Sequence, residues 1–272
     1  MRRFLAPAGA VVHRGERPSF SVVLPAYQVA ESIAEAVESA LVRPAPPLEI
    51  VLSADGSTDG IKSALRQYRD RVVLLRRPHR GVCAARNAAL EVVRGDFVAN
   101  LDADDVFLPE HLEALGDLAM AHPGLDILAT DAWFEVGGRR QGRFNGLNGF
   151  PGADQRAGIL RLCFVLSPAV RRERLLAVGG FDESLACAED WDCWVRLVLA
   201  GSRVGLVDEP LYVSPTRRQP HRPTTRPRCE PASPCWTRSL PATISSRRSS
   251  RSSARCASWA TARRCSPRRR RR

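Results

Sequence analysis

The apolar residues in the first half of the chain fall into short runs that alternate with segments of helical spacing. Four runs typical of buried strands lie at residues 20–24, 48–52, 71–75 and 97–101. Between the first two, at 30–42, apolar positions recur every three or four residues, and this spacing indicates a helix. Strands that alternate with helices favour a mostly parallel sheet with helices on both faces. Ligands of such sheets bind beyond the carboxyl ends of the strands.

The second half of the chain has a less regular pattern. A glycine- and arginine-rich segment at 137–152 predicts a mobile or substrate-facing loop. The remaining apolar spacing predicts helices near 109–121, 155–162, 171–178 and 189–200, and strands near 126–130, 132–136, 163–167 and 204–207.

The composition changes sharply after about residue 213. Residues 214–272 contain 17 arginines and one acidic residue, whereas the preceding 213 residues contain 24 basic and 28 acidic groups. The net charge of +12 therefore arises in the tail, and the charge of the body does not indicate nucleic-acid binding. The tail has too few aliphatic residues to offset the entropy of ordering, so we predict that it is disordered.

We accordingly divide the chain into a flexible leader at 1–18, one domain at 19–213 and the basic tail at 214–272. One interpretation of the tail is a segment that binds nucleic acid or an anionic membrane. The preferred hypothesis is an out-of-frame reading of a GC-rich gene, because the Arg, Ser, Pro and Cys-rich run begins in the middle of an element.

The cysteines and the apolar runs bear on the cellular location. None of the eight cysteines forms a CxxC pair or a Cys/His cluster with zinc-ligand spacing, and we expect a reducing cytoplasm. No apolar run approaches the roughly 20 residues that span a bilayer, so we expect at most peripheral contact with a membrane.

Three carboxylates follow the strand at 97–101 directly. Asp102, Asp104 and Asp105 lie within four residues, and adjacent unpaired carboxylates repel one another and resist burial. At the carboxyl end of a strand they are suited to hold a hard divalent cation, which prefers oxygen ligands. A solvated acidic turn is the alternative interpretation.

Six motifs occur along residues 19–213 in a fixed order. They are Ser21-Val-Val-Leu-Pro-Ala-Tyr27, Asp55-Gly-Ser-Thr-Asp59, Gly81-Val-Cys-Ala-Ala-Arg-Asn87, Asp102-Ala-Asp-Asp105, Gly179-Gly-Phe-Asp182 and Glu189-Asp-Trp-Asp-Cys-Trp194. In order and spacing they resemble the family 2 glycosyltransferases, which have the α/β GT-A fold. The resemblance implies an inverting transfer from a UDP-, dTDP- or GDP-sugar to a carbohydrate or lipid-linked acceptor, assisted by Mg²⁺ or Mn²⁺. It also implies a role in bacterial polysaccharide biosynthesis, in the cytoplasm or at the inner face of the membrane, without a nucleic-acid partner.

The resemblance implies roles for residues on the donor side. Asp102 would contact the donor ribose, and Asp104 would coordinate the metal. Asp105 would cap the next helix or support its neighbours. Arg86 would neutralise diphosphate oxygens or brace the carboxylates, and a surface arginine is the alternative.

The base pocket is implied in the same way. Pro25, Ala26 and Tyr27 would form its wall, and Asp55 would accept a hydrogen bond from the base. An ordinary packed aromatic and an Asx-turn acceptor are the alternatives for Tyr27 and Asp55. This sequence departs from the family's usual Asp-Asp pair, because Ala54 precedes Asp55.

Residues near 190 would form the acceptor side. Asp190 would be the general base, although acidic residues in a first helical turn also complement the helix dipole. Trp191 and Trp194 would line the acceptor site, with one of them alternatively in the core.

Two other enzyme classes are excluded by missing motifs. The first strand is not followed by GxGxxG, and GxxxxGK[ST] is absent, which argues against a dinucleotide-binding dehydrogenase and a P-loop NTPase. A catalytically impaired, truncated transferase relative remains an alternative, as does a nucleic-acid binder that depends on the tail alone.

Overall fold

The computed structural model describes residues 2–7, 16–41, 44–152 and 154–216. The strands are β1 (Phe4–Leu5), β2 (Phe20–Ala26), β3 (Glu49–Asp55), β4 (Val72–Arg77), β5 (Phe97–Asn100), β6 (Val106–Phe107), β7 (Ile127–Val136), β8 (Arg139–Arg143), β9 (Ala169–Arg171) and β10 (Val204–Thr216). The helices are α1 (Ile33–Leu41), α2 (Ile61–Ala64), α3 (Val82–Val92), α4 (His111–Ala121), α5 (Phe144–Asn148), α6 (Gln155–Arg161), α7 (Arg172–Ala177) and α8 (Glu189–Leu199), with a 3₁₀ turn at Arg66–Tyr68.

The strands form one sheet in the order β1-β10-β7-β9-β5-β2-β3-β4, with β6 and β8 attached to β10 and β7. Strands β5, β2, β3 and β4 are parallel neighbours, as the first half of the sequence predicts. The second half adds antiparallel strands to this mostly parallel sheet, and β9 runs antiparallel between β5 and β7. The carboxyl ends of β2, β3 and β5 therefore meet at one edge.

Apolar side chains of the sheet pack on both of its faces. In β2, Val22 and Leu24 belong to a core beneath α1 and α4, whereas Val23 belongs to a core shared with α3 and α8. This alternation is the period-two geometry of a strand buried on both sides. Among the described residues, no helix is long and apolar enough to cross a membrane.

Two parts of the predicted domain division differ from the structure. Phe4 and Leu5 lie in the predicted flexible leader, yet they pair with β10. Arg2 anchors this arm, since its guanidinium contacts Glu113 and Asp117 of α4 at 3.0 and 2.6 Å. At the other end, β10 extends to Thr216, whereas the sequence predicts a strand at 204–207 and a tail from 214. The rest of the predicted tail, residues 217–272, lies outside the described residues.

The segment predicted as a loop at 137–152 contains β8 and α5. Asp131, a fully buried carboxylate on β7, holds this segment in place. Asp131 accepts hydrogen bonds from Arg143 Nε at 2.6 Å and from the Asn145 backbone N–H at 2.9 Å. A buried carboxylate needs such partners, and they fold the segment back onto the sheet.

The strand predicted at 163–167 is also wrong. Those residues form no strand, and β9 begins at Ala169, close to the start of the predicted helix at 171–178. The strand is only three residues long and is defined by its pairing with β5 and β7. So short a strand has no period of its own for a pattern to reveal.

The buried imidazole of His111 makes stability depend on pH. It stacks on the Phe107 ring at 4.0 Å, and its Nδ1 lies 3.2 Å from Thr130 Oγ1. Burial lowers the pKa of His111 from 6.5 to about 3. The unfolded chain therefore binds a proton between these values that the folded chain excludes.

We expect the contribution of His111 to the free energy of unfolding to be constant above pH 6.5 and to decrease as the pH falls from 6.5 towards 3. The limiting slope is about 1.4 kcal/mol per pH unit. Urea denaturation of the wild type and His111→Asn across this range measures it. The variant should be less stable at neutral pH but should lack this part of the slope. Equal slopes in the two proteins would contradict the assignment.

Candidate active site

The candidate site lies where β2, β3 and β5 end. Asp55 is the last residue of β3, and the loops after β2 and β5 carry Tyr27 and Asp102. The parallel pairing of the strands brings these residues to the same edge. Helix α3 and the start of α8 close this edge from one face of the sheet.

Asp55 fixes the entry to α3. Its Oδ1 accepts a hydrogen bond from the Arg80 backbone N–H at 2.7 Å, and its Oδ2 accepts one from Gly81 N–H at 2.8 Å. His79 Nδ1 also lies 2.8 Å from Oδ2. Gly56 allows the chain to approach this closely, because a Cβ there would lie 2.8 Å from the His79 backbone nitrogen. Both oxygens of Asp55 are therefore bound to the loop between β4 and α3.

Tyr27 and His79 form an aromatic pair beside Asp55. Their rings stack with centroids 4.2 Å apart, and Tyr27 is 47% exposed. Of the other predicted pocket residues, Ala26 precedes Tyr27 in the sequence and is buried, and Pro25 is partly buried. The structure thus offers one open aromatic surface at the predicted base wall. His79 was missed by the sequence analysis, since only its contacts with Asp55 and Tyr27 reveal it.

Hydroxyl and carboxylate groups join the loops after β2 and β3. Gln28 donates from its backbone N–H to Ser57 Oγ at 3.1 Å and from its side-chain amide to Thr58 Oγ1 at 3.0 Å. The Ala30 backbone N–H donates to Asp59 at 2.7 Å. These bonds fix the loop that carries Tyr27, and they give the Asp55-Gly-Ser-Thr-Asp59 motif a structural role.

Arg86 lies at the centre of the site and is buried. Its Nη2 donates to Asp102 Oδ1 at 2.9 Å, and its Nη1 donates to Glu189 Oε1 at 3.1 Å. The guanidinium carbon lies 5.2 Å from the centroid of the Phe181 ring. Burial alone would lower the pKa of Arg86, but the charges of Asp102, Glu189 and Asp190 outweigh it and raise that pKa. Of its predicted roles, the structure supports bracing of the carboxylates.

The three carboxylates of the Asp102-Ala-Asp-Asp105 motif differ in their surroundings. Asp102 and Asp104 are partly exposed, whereas Asp105 is buried. Asp105 accepts a hydrogen bond from the Tyr212 hydroxyl of β10 at 2.6 Å. Burial, followed by the charges of Asp102 and Asp104, raises the pKa of Asp105 well above its ordinary value. Asp105 therefore holds the turn after β5 in place through its bond to Tyr212. It does not cap α4, which begins at His111.

Asp190 lies in the first turn of α8, one residue after Glu189. Burial, followed by the charge of Glu189, raises its pKa, and the charge of Arg86 opposes this shift. Its Oδ1 accepts a hydrogen bond from the Trp191 backbone N–H at 2.7 Å. A carboxylate with a raised pKa at a sheet edge has the property expected of a general base.

The two tryptophans predicted to line an acceptor site have different environments. Trp194 is only 2% exposed and packs edge-on against Phe181, so it belongs to the core and does not line an open groove. Trp191 is partly buried, and its Nε1 donates to the Ile159 carbonyl at 2.7 Å. Trp191 can still present part of its ring at the site.

The Gly179-Gly-Phe-Asp182 turn is held by α3 and α8. Asn87 exchanges two hydrogen bonds with the Phe181 backbone, both of 2.8 Å. Arg196 donates to the Val178 and Gly180 carbonyls at 2.7 and 2.8 Å. Asp182 accepts from the Ser184 backbone N–H, as expected of a turn former. The turn thus positions the start of α8 against Arg86.

The partly exposed carboxylates of the Asp102-Ala-Asp-Asp105 motif can supply only some of the ligands of a divalent cation. Among the residues that the structure describes, no three His, Cys, Asp or Glu side chains converge as a metal cluster. Asp102 and Asp104 would supply at most two carboxylates, and the remaining ligands would be water and phosphate oxygens. Mg²⁺ commonly accepts such a set. The edge therefore fits an ion that is bound together with a diphosphate.

Known proteins match most of the chain in sequence. A family model described as Glycosyl transferase family 2 matches residues 21–175. Succinoglycan biosynthesis protein ExoU of Rhizobium meliloti is 32% identical over 216 residues, which are 72% of this chain and 61% of that protein. O-antigen biosynthesis protein RfbC of Myxococcus xanthus is 30% identical over 217 residues, which are 77% of this chain and 17% of that protein. The chain spans 60% of an uncharacterized glycosyltransferase of Rickettsia typhi, RT0329, at 23% identity.

Solved structures show the same fold. S. aureus TarS 1–349 in complex with UDP-GlcNAc matches with a TM-score of 0.61 and 24% identity, over 75% of this chain and 60% of that one. Mannosyltransferase PcManGT from Pyrobaculum calidifontis, in complex with GDP-Man and Mn²⁺, matches with a TM-score of 0.57 and 21% identity, over 79% of this chain and 61% of that one. The predicted GT-A fold is confirmed.

The two glycines of the turn allow a matched test of its packing. Both have positive φ angles, 80° at Gly179 and 69° at Gly180. A Cβ at Gly180 would lie 2.5 Å from Asn87 Oδ1, whereas one at Gly179 would meet nothing within 4 Å. We expect Gly179→Ala to lower the free energy of unfolding by about 1–2 kcal/mol, the cost of the left-handed backbone. Gly180→Ala should cost more, because Asn87 must move. Equal losses in urea denaturation would contradict this packing.

Proposed function

The chain belongs to glycosyl transferase family 2, and from this premise we propose that it transfers a sugar from a nucleotide diphosphate sugar to an acceptor hydroxyl with inversion. The observation that carries the proposal is the pair of bonds from Arg86 to Asp102 and Glu189. They join the loop after β5, where a donor diphosphate would lie, to the helix that carries Asp190. A donor contact and a proton acceptor are thereby held at one edge.

We assign the donor side to the residues around Tyr27 and Asp102. The exposed Tyr27 ring would pack against the base, with Pro25 and Ala26 behind it. Asp55 would accept a hydrogen bond from the base, because its oxygens accept two backbone hydrogen bonds and a carboxylate has about four lone-pair sites. Asp102 would accept from the ribose hydroxyls, held in orientation by Arg86. The relatives in complex with UDP-GlcNAc and GDP-Man support a nucleotide-sugar donor.

Asp104 would hold Mg²⁺ or Mn²⁺ together with the donor phosphates. When bound, such an ion supplies Lewis-acid stabilisation of the negative charge on the departing nucleotide diphosphate. Asp105 would keep the turn in place through its bond to Tyr212 and would not contact the ion.

Asp190 would take the proton from the acceptor hydroxyl as that oxygen forms its bond to the anomeric carbon. Its raised pKa brings its basicity closer to that of an effective base at neutral pH than an ordinary aspartate has. One base opposite the leaving group suits a single displacement, which inverts the configuration. We propose a carbohydrate or lipid-linked acceptor in polysaccharide biosynthesis, in keeping with the relatives named for succinoglycan and O-antigen biosynthesis, and Trp191 as an aromatic contact.

The roles of Asp104 and Asp190 separate in one experiment. We expect Asp104→Asn to weaken Mn²⁺-dependent binding of a UDP-, dTDP- or GDP-sugar by at least about tenfold, because a metal ligand is lost. Asp190→Asn should bind the donor as the wild type does and should lose turnover by about 10²–10⁴-fold, because the proton acceptor is lost. Calorimetric titration of the donor and an assay of nucleotide diphosphate release measure the two effects.

Asp182→Asn is the matched control, because Asp182 lies in the neighbouring turn and its amide oxygen can keep the bond to Ser184. This variant should retain both binding and turnover. Donor binding that is equal with and without Mn²⁺ would contradict the role of Asp104. Full turnover in Asp190→Asn would exclude Asp190 as the base, and no turnover in the wild type with any donor would favour an impaired relative.

A further inference from the structure

A cavity of about 690 Å³ opens beside the carboxyl end of β4. Ala54, Ile61 and Leu74 form its apolar part, and Lys62, Arg76 and Arg77 contribute the basic side. None of the residues assigned above to the donor, the base or the metal lines it. Its volume lies within the range of sites for small molecules.

Two of the three basic groups of this cavity, Lys62 and Arg76, lack acidic partners among the described residues. No carboxylate of the described residues lines it. Within the part of the chain that the structure describes, Lys62 and Arg76 make no side-chain ion pair or hydrogen bond, and Arg77 approaches Glu91 only to 3.9 Å. Unpaired cations on the wall of a concave surface focus a positive potential into it. An anion that entered would gain charge-assisted hydrogen bonds without breaking any ion pair of Lys62 or Arg76.

The replacement at position 54 explains why the charge is uncompensated. Ala54 is the register partner of Arg76 in the parallel pairing of β3 and β4, so both side chains lie on one face of the sheet. An aspartate at position 54 would instead place a carboxylate beside Arg76 on this face. With alanine the same wall is apolar, and Arg76 has no carboxylate beside it at this position.

A hydroxyl adds a directional donor to the cavity. Thr58 lines it, and Thr58 Oγ1 accepts a hydrogen bond from the Gln28 amide at 3.0 Å. The hydroxyl proton of Thr58 then remains available to a ligand oxygen. An apolar base, a hydroxyl and unpaired cations form a set that recognises a phosphate group on a compact organic molecule.

We propose that this cavity is a second binding site, which takes a small phosphate-bearing ligand and is separate from the site of glycosyl transfer. The phosphate contacts Lys62, Arg76 and the Thr58 hydroxyl, and the organic part rests on Ala54, Ile61 and Leu74. The site does not depend on the chain being an active transferase, because none of these residues acts in the proposed reaction.

Amide chemical shifts of the full chain, titrated with inorganic phosphate and with glucose 1-phosphate, test the proposal. We expect saturable shifts of Thr58, Gly60 and Lys62, and these should persist in the presence of saturating UDP and Mn²⁺. Arg76→Gln should weaken binding by about tenfold, because one charge-assisted contact is lost. Ala54→Asp should weaken it at least as much, because the carboxylate neutralises Arg76. Tighter binding of the sugar phosphate than of inorganic phosphate would support the contact of an organic part with the apolar wall, and equal binding would overturn that contact.

Arg71→Gln is the matched control, since Arg71 is exposed just before β4 begins, at the opposite end from Arg76, and does not line the cavity. This variant should bind both probes as the wild type does. An equal loss in Arg71→Gln and Arg76→Gln would reduce the effect to overall charge and overturn the proposal. Displacement of phosphate by UDP with no effect of Arg76→Gln would assign the binding to the transfer site, and absence of saturable shifts would also overturn it.

Discussion

The site depends on one buried cation. The Arg86 guanidinium bonds Asp102, 16 residues away, and Glu189, 103 residues away. A buried arginine is tolerated only with such partners. Removal of either side would leave uncompensated charge beside Phe181. The two bonds of Arg86 therefore determine both the structure and the charge balance at this edge of the sheet.

Other residues of α3 and α8 hold the start of α8 in the position that the contact with Arg86 requires. Asn87, the residue after Arg86, holds the Phe181 backbone, and Arg196 holds Gly180 from the other side. The start of α8 is thus fixed in the position where Glu189 reaches Arg86. The same proximity sets the basicity of Asp190, because burial and Glu189 raise its pKa while Arg86 lowers it. A candidate base with a tuned pKa results from packing that also stabilises the core.

The sequence could predict those features that short segments determine. The strands 20–24 and 97–101 have local apolar runs, and the structure has strands at both. The motif pattern also predicts that Asp102, Arg86 and Asp190 lie at one edge of the sheet. The structure of residues 137–152 could not be predicted from their sequence, because it depends on contacts with the buried Asp131 of β7. His79 and the burial of Trp194 were missed for the same reason, since only tertiary contacts define them.

A double-mutant cycle on Arg86 and Glu189 tests the central claim most directly. Urea denaturation gives the free energy of unfolding for Arg86→Gln, Glu189→Gln and the double variant, with the exposed pair Arg80 and Glu183 as the control. The account predicts that the double variant loses less stability than the sum of the single losses, by about 1–3 kcal/mol, because the pair is buried. The control cycle should couple by less than about 1 kcal/mol. Losses at Arg86 and Glu189 that add to within about 0.3 kcal/mol would contradict the account.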